Sequence, residues 1–95
     1  MAQVEDMRVL FDRTNGGFDN KREQKSVVFK AGGRHYLADW VDFVPDRGTS
    51  ELMVFACNSK GEVRNWTDLA CWNYIGKDEM EERIAEFAAS LDGEE

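Results

Sequence analysis

Three short turn signals, Gly32-Gly33, Pro45–Gly48 and Asn58–Gly61, separate four segments that carry the composition of β-strands. The segments are Ser26–Ala31, Arg34–Val44, Glu51–Cys57 and Glu62–Leu69. Parallel strands need a crossover of a dozen or more residues, usually a helix. These connections are too short for one, so the segments must run antiparallel, each beside the next. A fifth segment, Met7–Asp12, precedes them across a longer polar stretch, Arg13–Gln24, with Asn15-Gly16-Gly17 suited to positive φ. Pro45 pre-sets the first dihedral of its turn and Gly48 closes it, while Gly61 suits a hairpin bulge.

Within Arg34–Val44 the alternation puts Tyr36, Ala38 and Trp40 on one face. His35, Leu37, Val41 and Phe43 fall on the other, with Asp39 interrupting. Both faces are partly apolar, which predicts a central strand with a bulge near Asp39. After Lys77 the period changes. Met80, Ile84, Phe87, Ala88 and Leu91 form one helical stripe, with Glu79, Glu82, Arg83 and Glu86 on the other side. Asp78 and Glu81 fit a capping box, and Gly93 fits a helix stop. The expected fold is α+β: a four- to five-stranded antiparallel β-meander with one C-terminal amphipathic α-helix packed on one face. A chain of 95 residues holds a single core, so residues 1–95 read as one domain with frayed ends at 1–6 and 92–95.

Composition narrows the function classes. No apolar run is long enough to cross a bilayer, and the N-terminus lacks a basic start followed by an apolar stretch. The expected location is the cytoplasm. There Cys57 and Cys71 stay reduced and pack as small apolar residues. His35 is the single histidine, and neither cysteine falls at a helix N-terminus, where nucleophilic thiols are activated. With no hydrolase, P-loop, dinucleotide or zinc-protease motif present, the chain reads as non-enzymatic. No metal site and no cofactor are expected. Asp39 and Asp42 point to opposite faces of their strand, and the tail acids Asp92, Glu94 and Glu95 lack a ligating loop.

The formal charge of −7 disfavours direct nucleic-acid and membrane contact and favours a protein partner with a basic surface. Aromatics make up 12% of the chain, three of them Trp. A sheet covered by one helix keeps a second face for water or a partner. Tyr36, Trp40 and Trp66 sharing that face would make an aromatic patch, with Asp42, Asp46, Glu51 and Glu62 steering the partner to it. Two alternatives stand beside this protein-binding reading. One is a small-molecule or nucleotide binder, holding an anionic ligand with Arg13, Lys21, Arg22 and Lys25 and stacking aromatics. The other is an accessory subunit of a larger assembly.

The stretch from Met53 to Leu69 carries the pattern M-V-F-x-C, a polar turn ending in Gly61, then V-x-x-W-x-[DE]-L. Its residues are Met53, Val54, Phe55, Cys57, Gly61, Val63, Trp66, Asp68 and Leu69. In this the chain resembles small uncharacterised phage and prophage proteins. The resemblance spans about a fifth of the chain and brings no chemistry with it. It implies a mobile-element origin. By class it also implies an inhibitor of host defence, of the anti-CRISPR kind, that occludes a basic surface on a nucleic-acid-handling protein.

Overall fold

The structure, a computed structural model, describes residues 3–15, 22–43 and 49–91, without the side chains of 13–15, 22, 23, 43 and 49. Strands β1 (Val4–Asn15), β2 (Arg22–Ala31), β3 (Arg34–Phe43), β4 (Thr49–Cys57) and β5 (Ala70–Asn73) precede one helix, α1 (Met80–Leu91). All neighbours pair antiparallel in the order β1-β2-β3-β4-β5. The expected meander with a single C-terminal helix is the observed fold. The expected turn at Pro45–Gly48 and the helix stop at Gly93 lie outside the described residues.

Gly32 and Gly33, both at positive φ (60° and 80°), close the β2–β3 hairpin as a two-residue turn whose twist matches the strands. From there the register runs unbroken through β2, β3 and β4. The expected bulge at Asp39 is absent. Asp39 keeps its place in the alternation because its carboxylate accepts hydrogen bonds from Ser26 Oγ (2.9 Å) and Gln24 Nε2 (3.4 Å) on the same face. The register shifts instead in β1, between Val4 and Asp6 and between Val9 and Phe11.

One face takes Val27, Phe29 and Ala31 from β2, Tyr36, Ala38 and Trp40 from β3, and Leu52 and Val54 from β4. Helix α1 lays Met80, Ile84, Phe87 and Ala88 across them. Phe87 stands edge-on to both Tyr36 (5.0 Å between centroids) and Phe29 (6.0 Å), which stack on each other at 5.4 Å. Such offset and edge-on pairs add to the area they bury. The Asp78–Glu81 box does not cap the helix: α1 begins at Met80, and Asp78 lies inside the turn before it, whose N-cap is Gly76. That 3-10 turn, Lys77–Glu79, leads into the helix, and the Glu79 carboxylate accepts the Gly76 N–H at 3.2 Å.

The second face departs from expectation in its cover. Residues 58–61 turn as expected, with Gly61 at φ 87°, but Glu62–Leu69 is not the strand that answers β4. That partner is β5, beginning at Ala70. The reason is local hydrogen bonding. Asn58 Oδ1 accepts the N–H groups of Lys60 and Glu62, and Asn65 Oδ1 accepts the N–H and hydroxyl of Thr67. Asparagine side chains that satisfy nearby backbone in this way compete with a strand ladder. The segment instead folds over Val28, Leu37 and Phe55, bringing Val63 to them.

Candidate functional site

Tyr36 and Trp40 do not share an open face with Trp66. They lie under α1, 6% and 2% exposed, on the face opposite Phe55, against which Trp66 packs. Alternation correctly grouped Tyr36 with Trp40, but the helix takes the face richest in large aromatics because that face buries most area. Trp40 also donates its indole N–H to the Ile75 carbonyl at 2.9 Å.

Trp66 is exposed, at 63%. Its ring meets Phe55 nearly edge-on, 5.0 Å between centroids. One pleat along β4 from Phe55 is Met53, and directly across from Met53 on β5 is Cys71. The Cys71 Sγ lies 3.7 Å from the Glu51 carboxylate. Desolvation, then Glu51 and then Asp68, pushes the Cys71 thiol above its ordinary range. Both acids therefore act on the same spot, and Leu69, half-exposed, lies between Asp68 and β5. Trp66, Leu69, Met53 and Cys71 with Glu51 and Asp68 make one aromatic and aliphatic patch with an acidic border. Cys71 is exposed on it, not a core residue as expected.

The other expected acids are scattered. Glu62 accepts Asn58 Nδ2 at 2.9 Å in the turn after β4. Asp42 lines a cleft of about 390 Å³ with Trp40, Ser50, Tyr74, Ile75, Gly76 and Lys77. Asp46 lies outside the described residues. In the basic set, Lys21 lies outside as well, and Arg13 and Arg22 are placed only as ladder positions in β1 and β2. Lys25 sits in β2 opposite Asp12 and Trp40.

Two features escaped the sequence. Tyr74 follows β5 at φ 60°, a left-handed conformation that costs a non-glycine residue about 1–3 kcal/mol. The neighbouring bonds hold it there: its N–H donates to the Ser50 carbonyl at 2.8 Å, and Ile75 O accepts both Trp40 Nε1 and Ser50 Oγ. Its ring is 76% exposed. The second feature is the pairing of His35 with Cys57 across β3 and β4, beside a groove of about 360 Å³ lined by Ala56, Cys57, Asn58, Glu62, Arg64 and Asn65. Burial pushes the Cys57 thiol up, against a smaller opposing pull from Arg8. Thiolate nucleophiles are favoured by the reverse shift.

Among the described residues, no group of three or more His, Cys, Asp or Glu side chains is placed to hold a metal ion. No helix there is long and apolar enough to cross a membrane. Comparison with protein families, with characterised proteins and with solved structures finds no match.

Proposed function

We propose that this chain is a non-enzymatic protein-binding module that presents Trp66 and Leu69, bordered by Glu51 and Asp68, to a basic surface. The observation that carries the reading is Trp66, an indole 63% exposed yet fixed edge-on against Phe55. A large ring fixed before contact loses little rotamer entropy on binding, which is why tryptophan dominates interface energetics. The acids beside it, and a chain charge of −7, draw a positively charged partner and set its orientation. A phage-type inhibitor that covers the basic surface of a nucleic-acid-handling protein is the biological role this reading favours, in line with the resemblance at Met53–Leu69.

The test is titration against a panel of purified nucleic-acid-handling proteins with basic surfaces, bacterial defence nucleases among them, followed by Trp fluorescence at low and high salt. Binding should weaken as salt rises. Trp66→Ala should weaken it by about tenfold or more, as loss of a central interface anchor does. Binding that ignores both salt and Trp66→Ala would sink the proposal.

A further inference from the structure

Of the seven large apolar side chains exposed among the described residues, four fall within five consecutive positions of β1: Met7, Val9, Leu10 and Phe11. The strand is an edge of the sheet and is 12 residues long, whereas β5 at the opposite edge has four. Its outer side offers a row of backbone donors and acceptors about 40 Å long, at about 3.4 Å per residue. Edges that stay single are commonly short, covered, charged or bulged; β1 is shifted in register and carries five charged residues, but it is long and its centre, Val9–Phe11, is uninterrupted apolar sequence.

The register explains why this edge is apolar on both faces. Met7 and Val9 pair with Phe29 and Val27 and so lie on the helix side. After the shift between Val9 and Phe11, Phe11 pairs with Ser26 and lies on the opposite side. Leu10 points there too, since its side chain, like that of Val28, approaches Gly61. The bulge therefore extends the apolar run around the edge.

We infer that β1 pairs antiparallel with β1 of a second copy of this chain, joining two five-stranded sheets across a two-fold axis. Length selects that occupant, because a 12-residue edge finds an equal in another β1 and not in the four-residue β5. Pairing β1 to β5 would also propagate head to tail, whereas β1 to β1 closes. Charge agrees. Within β1, Glu5, Asp6 and Asp12 are set against Arg8 and Arg13, three acids and two bases, for a net −1 in a chain of −7. Antiparallel alignment carries the Glu5-Asp6 end of one strand to the Asp12-Arg13 end of the other, and the apolar run lies against itself at the centre.

Sedimentation equilibrium on the full chain tests this. The mass should be twice 10.9 kDa, and a Val9→Lys, Leu10→Lys double variant should fall twofold to the single-chain mass. A wild-type chain that stays at 10.9 kDa up to millimolar concentration overturns the proposal, as does a folded double variant that keeps the doubled mass. Should the double variant fail to fold, hydrogen exchange on the wild type decides: β1 amides lose protection on dilution if the edges pair, and concentration-independent exchange there overturns it. Trp66→Ala should leave the mass doubled. A Trp66→Ala chain at the single mass would place the contact on the second face and overturn pairing through β1.

Discussion

The two faces of this sheet are built by different means. Among the described residues, a single helix completes a core of 13 buried residues on one, and on the other an irregular segment closes over three. A helix satisfies its own backbone, so it can press a continuous apolar stripe onto strands at little polar cost. A segment without regular structure must find partners for each N–H, here supplied by Asn58 and Asn65, and it leaves Trp66 and Leu69 facing outward. Burial is thus concentrated on the helix side, and large apolar side chains are left exposed on the side where cover is incomplete.

That contrast can be broken by substitution. The largest effect should come from Phe87→Ala, which removes the ring that joins Phe29 and Tyr36 to the helix, at about 3–5 kcal/mol in denaturant unfolding. A loss below about 1 kcal/mol, the range of surface changes, would show that the helix is not the main support. Next is Gly61→Ala. It forces a side chain into positive φ and sets a Cβ 2.9 Å from Val28 Cγ2, for a loss of about 1–3 kcal/mol in the same assay. Trp66→Ala should cost only about 0.5–1.5 kcal/mol, the worth of one aromatic pair, because the indole is mostly in water. A Trp66 loss equal to that of Phe87 would erase the distinction between the faces.

The smallest effect concerns the thiols. Folding raises the proton affinity of Cys57 and Cys71 above the ordinary thiol value of 9.0. The folded state then holds more protons than the unfolded one, so this contribution is complete below pH 9.0 and lost as pH rises through the folded-state values. In a Cys57→Ser background, Glu51→Gln should move the pH profile of Cys71 alkylation to lower pH. An unchanged profile would show that Glu51 does not act on that thiol.

Sequence reading reached the strand order and the helix stripe because both depend on local periodicity, and a Gly32-Gly33 turn leaves the chain one way to return. It missed β5 because Glu62–Leu69 alternates as well as Ala70–Asn73 does, and what separates them is the asparagine turns, a side-chain effect invisible to hydropathy. It paired Tyr36 with Trp40 correctly but assigned them to the open face, since period alone does not say which face a helix will choose. Of the candidate site, Trp66 and Glu51 were legible from residue type. The placing of Leu69 and Asp68 beside them was not, nor was the left-handed Tyr74 elsewhere, because these positions depend on where the segment after β4 rejoins the sheet.

The bond from Trp40 to the Ile75 carbonyl makes the molecule its own gauge of helix docking. That indole proton is buried in the core that α1 completes and bonded to the segment through which the chain enters the helix, so its exchange with deuterium waits for that bond to open. The exposed Trp66 gives an internal reference that exchanges freely. Two indole resonances in one spectrum therefore time the opening of the helix side against bulk solvent.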